Sequence, residues 1–461
     1  MPKLDIHNPA TGERLAVLAA DDAASVAAKA AAARAAQPAW AALPIEQRLA
    51  CIRRFRDGLV TELETLAVTL TQEVGKPISQ SRNELNGLLG RIDFFLEQTE
   101  HAVADEHVFN GGGMHEQIGH VPLGVVANIS AWNYPYFVGC NVIVPGLLTG
   151  NAVLYKPSEF AALSGQHLTR LLHAAGVPAG VMQCLVGAGA VGAALLDQPI
   201  DGLFFTGSHA TGQRIAVALA PRLLKLQLEL GGKDPSYVRA DADPKSAAES
   251  LADGAMYNTG QSCCSVERIY VHDSIHDAFV QHFVASVAAL KLGDPMAGDT
   301  TIGAITRAPQ LAVLEAQVAD AVAKGATLHG RGKPSGKRRA GPGNWFEPAV
   351  LTGVNHTMDL MREESFGPVI GIQKVGSDAE AVALMNDTRY GLTAGIYTKD
   401  EAVARALLAQ VNAGSVYWNC CDRVSPRLPW SGHGDSGLGL TLSTHGIQAF
   451  TRPKAWHLRS P

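Results

Sequence analysis

Between residues 121 and 231 the chain alternates short apolar runs with stretches long enough for a helix. No other feature constrains the fold as much. The runs at 124–130, 152–155, 181–186, 202–206 and 224–229 have strand length, and 162–175 and 209–220 have room for helices. Strand, helix and strand at this pitch predict a parallel, doubly wound sheet. Sheets of that kind bind ligands at the carboxyl ends of their strands.

The flanking regions have their own texture. Residues 21–101 carry Ala, Leu and Ile at helical spacing between charges. Gly75-Lys76-Pro77 interrupts that pattern, and a further helix is expected from about Ser79 to Glu97. A second alternating region runs from about 232 to 430, with strands near 268–271 and 369–372 and helices near 275–290, 309–324 and 378–386. The glycine-rich stretch 330–343 reads as a surface loop. At 461 residues the chain is too long for one simple core, so two or three packed domains are expected.

Composition narrows the function classes. A net charge of −5 gives no basic footprint and argues against nucleic acid as a partner. No apolar run of about 18 residues predicts a membrane span, and the first residues show no apolar leader. Seven cysteines is an odd number, and the neighbours Cys263-Cys264 and Cys420-Cys421 could bridge only with strain. Free thiols in a reducing, cytoplasmic setting are therefore expected.

Two residues stand out chemically. Cys263 follows a Gly-Gln turn in the segment 254–268, and Glu229 ends an apolar strand just before Gly231 and Gly232. A thiol that attacks a carbonyl and a carboxylate that activates water are the groups needed for covalent oxidation followed by hydrolysis. The two glycines would permit a sharp turn that lets the carboxylate swing. Taken alone, Cys263 could equally be a buried structural thiol and Glu229 a cap or ion-pair partner. Asn133 lies in the turn after the strand 124–130, and Gly207-Ser208 open a helix after the strand 202–206, which suits a phosphate at a helix N-terminus.

Together with Lys156-Pro157-Ser158-Glu159, Glu364-Ser365-Phe366-Gly367-Pro368 and the segment 416–437, these motifs resemble the NAD(P)-dependent aldehyde dehydrogenase superfamily, in order and over nearly the whole chain. The resemblance implies Cys263 as nucleophile, Glu229 as general base and Asn133 as oxyanion donor. It implies an NAD site formed by Trp132, Lys156, Glu159, Gly207, Ser208, Gly212, Leu230, Glu364 and Phe366. Glu159 beside the ribose would repel a 2′-phosphate, which favours NAD over NADP. A substrate tunnel is implied along Tyr134, Val138, Asn141, Tyr257, Ser262, Cys264, Arg423, Val424 and Trp430. No metal is implied. Asp422, Arg423 and Arg427 are expected at its mouth, either as a solvated loop or with an arginine receiving the carboxylate of a semialdehyde such as succinate semialdehyde.

The implied fold is α/β with two doubly wound parallel-sheet domains. A Rossmann-like cofactor domain would comprise 1–101 and 123–231, and a catalytic domain 232–444. A small β oligomerisation arm, 102–122 with 445–461, would make a homodimer or homotetramer. One departure is plain: after Gly439 many members carry Arg-Glu, whereas this chain has Leu440-Thr441. Two other functions stay open at this point. They are a CoA-acylating semialdehyde dehydrogenase, which Glu229 disfavours, and a non-catalytic protein on the same fold.

Overall fold

The computed structural model describes residues 2–330 and 343–460, so all but the two end residues of the expected loop at 330–343 lie outside the described residues. A hairpin, β1 (Lys3–His7) and β2 (Arg14–Ala19), leads into the helices α1 (Ala23–Ala41), α2 (Ile45–Val74) and α3 (Ile78–Ala102). Asp22 starts α1 through a reciprocal box: its carboxylate accepts from the Ser25 N–H, and the Ser25 hydroxyl accepts from the Asp22 N–H. A second hairpin follows, β3 (Glu106–Gly111) and β4 (Met114–Pro122).

The expected parallel sheet comes next. Its elements are β5 (Val125–Ile129), α4 (Pro135–Leu148), β6 (Ala152–Lys156), α5 (Ala162–Ala174), β7 (Met182–Cys184), α6 (Gly189–Leu196), β8 (Gly202–Thr206), α7 (His209–Leu219) and β9 (Lys225–Glu229). The five strands lie parallel in the spatial order β7-β6-β5-β8-β9. The chain winds outward from β5 in one direction and then returns to add β8 on its other side. Loops leaving β5 and β8 therefore diverge, and a crevice opens between them at the carboxyl edge. The run 181–186 supplies only three strand residues, Met182–Cys184.

The second alternating region begins with β10 (Pro235–Val238), α8 (Pro244–Met256), β11 (Arg268–His272), α9 (His276–Ala288) and α10 (Ala308–Ala323). It continues through β12 (Thr327–Gly330), β13 (Ala349–Thr352), β14 (Val369–Val375), α11 (Asp378–Asn386), β15 (Tyr390–Gly391), β16 (Thr393–Tyr397), α12 (Glu401–Leu408) and β17 (Ser415–Trp418). Seven of these strands form a sheet in the order β12-β13-β14-β11-β10-β16-β17, antiparallel only between β12 and β13. Apolar side chains cover both of its faces. Beyond it, β18 (His433–Gly434) pairs with β15, and β19 (Gly437–Leu438) crosses back to the first sheet, setting Gly437 opposite Glu229.

The chain ends with α13 (Ser443–Gln448) and β20 (Thr451–Arg459), which pairs with β4 along its whole length. Strands β20, β4 and β3 form a three-stranded sheet of their own, with Val108, Phe109, Trp456 and Leu458 exposed on it. Phe450 stacks on Phe204 with ring centroids 4.2 Å apart, both fully buried. Burial of each ring contributes about 2–3 kcal/mol, enough to hold the tail against the first sheet.

Candidate active site

Loops from both sheets meet at the crevice. Trp132, Asn133 and Tyr134 follow β5, Gly207 and Ser208 follow β8, and Glu229 ends β9. Opposite them, α8 runs into a turn where Asn258, Thr259 and Gly260 all have positive φ, at 53°, 58° and 69°. Such a conformation costs a non-glycine residue about 1–3 kcal/mol and persists only where its surroundings enforce it. Here they do. The Asn258 N–H donates to Gln80 Oε1 at 3.0 Å, and Asn258 Nδ2 donates to the carbonyls of Gln261 and Asn133. Thr259 Oγ1 accepts from the Gly303 N–H, and Gln261 Oε1 from the Thr306 N–H. A Cβ on Gly260 would lie 2.4 Å from the Gly367 carbonyl carbon, so this position admits only glycine. The turn delivers Cys263 to the crevice, and Asn133 Nδ2 is tied to the same loop, donating to the Gln261 carbonyl at 3.1 Å.

Two cavities converge on Cys263. The first, about 390 Å³, is lined by Tyr134, Val138, Asn141, Tyr257, Ser262, Cys264, Arg423, Val424 and Trp430, together with Cys263 and Glu229. All nine residues expected along a substrate tunnel thus share one cavity. The second, about 250 Å³, is lined by Trp132, Asn133, Gly207, Ser208, Leu230, Glu364 and Phe366, again with Cys263 and Glu229. Among the described residues, Glu229 is the one carboxylate that faces both.

Burial pushes the Glu229 carboxyl above the usual range, while the Trp430 indole, Arg91 and Thr206 pull it back. Trp430 Nε1 donates to Glu229 Oε1 at 2.7 Å. Trp430 is itself held by a two-way backbone bridge with Thr441, at 2.8 and 2.9 Å. Thr441, in the dipeptide that departs from the common pattern, therefore positions the indole that orients Glu229. At Cys263 a thiol contact from Cys264 lowers the value, but burial and the carboxylates of Glu229, Asp234 and Asp422 outweigh it, and the net direction is upward. These surroundings favour the neutral thiol. Cys264, beside it in the wall of the first cavity, donates to Asp422 Oδ1 at 2.9 Å.

The second cavity suits a nicotinamide nucleotide. Helix α7 begins after Ser208 with no side chain capping it, so its first N–H groups remain available to a phosphate. Trp132 and Phe366 meet edge to face at 5.6 Å and form an apolar wall for a flat ring. Phe366 takes a φ of 49°, and Glu267 holds that turn by accepting from the Ser365 and Phe366 N–H groups. The buried Lys233 Nζ, 2.6 Å from Glu267, fixes Glu267 in turn. Glu364 accepts from the Gly232 N–H at 3.1 Å, and burial raises its carboxyl to about 8.

Other expected residues lie farther out. Lys156 and Glu159 stand at the end of β6 with 3.8 Å between their charged atoms, outside the second cavity. Gly212 packs beneath Leu230, where a Cβ would come within 2.5 Å of it.

Three expectations need correction. Gly231 and Gly232 do not provide a positive-φ turn for a swinging carboxylate. They are glycines because a Cβ would strike the Glu364 carboxylate at 2.4 Å and the Cys263 carbonyl at 2.8 Å. Asp422 is not a solvated mouth residue: it lines the cavity and accepts from the Cys264 thiol. Arg427 is exposed and absent from the cavity wall. The sequence reading also missed Asn83, Arg91, Phe137 and Asp253, which line the first cavity. Arg91 shares a helical face with the buried Glu84, Leu88 and Phe95, and a charge on an otherwise buried face was the signal available.

Known proteins resemble this chain over its whole length. The model of the aldehyde dehydrogenase family matches residues 2–456. A 3,6-anhydro-α-L-galactose dehydrogenase of Streptomyces coelicolor is 36% identical over 99% of this chain and 93% of its own. An NADP-dependent enzyme of Escherichia coli superposes with a TM-score of 0.96 at 30% identity, covering 100% of this chain and 95% of its own. An NAD-dependent aldehyde dehydrogenase of Sinorhizobium meliloti superposes equally well, at 0.96 and 31% identity over 99% and 92% of the two chains. The chain belongs to the aldehyde dehydrogenase family, and it is an oxidoreductase that converts an aldehyde to the acid with NAD(P).

Proposed function

We propose that Cys263 is the nucleophile, Asn133 an oxyanion donor and Glu229 the base of this oxidation, with NAD as the favoured cofactor. The observation that carries this reading is the convergence of the two cavities on Cys263 and Glu229. The aldehyde enters through the first cavity and the nucleotide occupies the second. Cys263 Sγ attacks the carbonyl carbon as its proton passes to a base, for which Glu229 is the carboxylate at hand. The oxyanion so formed is met by Asn133 Nδ2 and the Cys263 N–H. Trp132 and Phe366 would hold a nicotinamide there, which when bound would supply the hydride acceptor for oxidation of the thiohemiacetal to a thioester. Glu229, having passed the thiol proton to solvent, then takes a proton from water, which attacks the thioester and releases the acid and the Cys263 thiolate.

Asn133 is already engaged with the Gln261 carbonyl at 3.1 Å, so its amide is oriented before substrate arrives. Asn133→Ala is expected to lower kcat by about 100- to 1000-fold with little change in nucleotide binding. Steady-state kinetics beside a cofactor titration would check this, and a loss under tenfold would remove the role.

A pH effect follows from Trp430. Its indole N–H favours the charged form of Glu229, and the base must be charged to act, so activity falls as pH drops through the Glu229 value. Trp430→Phe removes the donor and leaves burial unopposed there. The acidic limb of the kcat profile should then move to higher pH, and an unmoved limb would show that Glu229 does not set it.

NAD is supported by the Glu159 carboxylate near Lys156, which would repel a 2′-phosphate. An assembly through the β3-β4-β20 sheet is supported by its exposed Val108, Phe109, Trp456 and Leu458. In that assignment residues 1–101 and 123–231 hold the nucleotide, 232–444 supply Cys263, and 102–122 with 445–461 join subunits of a homodimer or homotetramer. Seven unpaired cysteines support a reducing, cytoplasmic setting. Reduction of NAD and of NADP, followed by absorbance over aliphatic, aromatic, amino- and semialdehydes, tests the assignment. No turnover of any aldehyde without added CoA would overturn hydrolysis as the outcome.

A further inference from the structure

We propose that Arg91 receives a carboxylate carried by the aldehyde, which makes a short semialdehyde the substrate class of this enzyme. The inference rests on the assignment of the first cavity to the substrate. Arg91 lies on α3, is 7% exposed and lines that cavity together with Cys263 and Glu229. Its guanidinium carbon lies over the Phe137 ring, 4.0 Å from the ring centre.

What distinguishes Arg91 is how little it is bonded. Apart from Lys156, which lies outside this cavity and has the Pro157 carbonyl at 3.2 Å and the Glu159 carboxylate at 3.8 Å, the other buried cations are satisfied. Lys76 and Lys233 each have a carboxylate at 2.6 Å. Arg48 donates to the carbonyls of Trp40, Ala41, Leu43 and Leu148. Arg268 donates to the carbonyls of Lys233, Leu384 and Met385 and to the Tyr270 hydroxyl. Arg91 has only Asn141 Oδ1 at 3.0 Å and the Val424 carbonyl at a long 3.4 Å. Among the described residues its Nε–H has no hydrogen-bond partner, and no carboxylate lies within 4.0 Å of its guanidinium. A guanidinium has five N–H donors in a planar fork, and the cavity is where the unused ones can be met.

The ligand that completes such a site is a carboxylate, which takes two parallel N–H bonds and offsets the burial of the charge. Burial lowers the guanidinium to about 10, so it stays charged at neutral pH. The carboxylates that line the cavity are engaged or elsewhere. Glu229 is bonded to Trp430, Asp422 to Cys264, and Asp253 is exposed. Arg423 is exposed as well, and exposed charges of this kind contribute little. The arginine that receives a carboxylate is thus on α3, and not Arg423 or Arg427, which the sequence offered either for that role or as a solvated loop.

The test compares kcat/KM for succinate semialdehyde and for butanal, which has the same carbon count without the carboxylate, in the wild-type, Arg91→Gln and Arg91→Lys enzymes. The wild type should prefer the semialdehyde. Arg91→Gln should lower the ratio of the two constants by about 100-fold, mainly through KM, and Arg91→Lys should restore part of it. Lack of wild-type preference, or an equal loss on both aldehydes in Arg91→Gln, would overturn the proposal. A third substrate, lactaldehyde, separates hydroxyl from carboxylate recognition, and a loss confined to it would also overturn the proposal. Absence of Cys263-dependent turnover with all three would instead sink the catalytic assignment itself.

Discussion

A Cys263→Ala enzyme should lose aldehyde oxidation by on the order of 100,000-fold while still binding the nicotinamide cofactor. Deleting a covalent nucleophile removes the path of the reaction, which is why such losses reach about a million-fold in other enzymes. Cofactor affinity survives because the wall formed by Trp132 and Phe366 and the open start of α7 do not depend on the thiol. The adjacent thiol cannot take over: the Cys264 S–H is committed to Asp422 at 2.9 Å. Contact with Cys263, burial and nearby Asp422 also push Cys264 far up. Cofactor reduction, a cofactor titration and mass spectrometry of the protein mixed with aldehyde would check this together. An acyl adduct on wild-type protein alone supports the assignment, and Cys263→Ala turnover within tenfold of wild type would require another nucleophile.

Much of this site was legible because its chemistry sits in short local motifs. The turn 258–263 needs a glycine where backbones touch, and Gly260 is there because Gly367 leaves no room for a Cβ. The strands of the first sheet were visible as isolated apolar runs, since β5, β6 and β8 lack a residue pattern that competes with strand. Helix α4 was not visible. Its sequence is apolar on every side and holds Pro135 and Pro145, so no 3.6-residue period stands out. Its N-terminus is completed from another element: Glu84 of α3 accepts from the Tyr136 and Phe137 N–H groups. A cap supplied from about 50 positions away in sequence leaves no local signal.

Long-range partners explain the remaining misses. Trp430 was placed among the pocket residues, but its bond to Glu229 spans 201 positions and depends on β19 returning to the first sheet beside β9. Lys76 came from a motif that reads only as a helix break, yet its ammonium pairs with Glu84 and lies over the Tyr134 ring at 3.8 Å. Arg423 and Arg427 lie in the tunnel loop, where charge is dense in sequence. The buried one is on α3, where composition shows only an amphipathic helix.

Glu229→Gln should separate the two halves of the reaction. Glutamine keeps an oxygen at the position where Trp430 Nε1 now donates at 2.7 Å, so the loop around it need not move. What it loses is the capacity to take a proton from water. A general base contributes about 100- to 10,000-fold, and steady-state turnover should fall within that range. The first turnover survives, slowed to the extent that Glu229 takes the Cys263 proton, because attack by Cys263 and reduction of the cofactor do not consume water. Rapid mixing should show a burst of about one reduced cofactor per Cys263, followed by a near-stationary phase with the thioester trapped on the enzyme. A burst slowed in the same mutant would add that Glu229 also removes the Cys263 proton, which the raised thiol requires some base to do. Hydroxylamine, a nucleophile strong enough to need no base, should release the acyl group and restore turnover. Unimpaired steady-state turnover in Glu229→Gln would mean that water is activated by another group, and the pairing of Glu229 with Trp430 would then be structural.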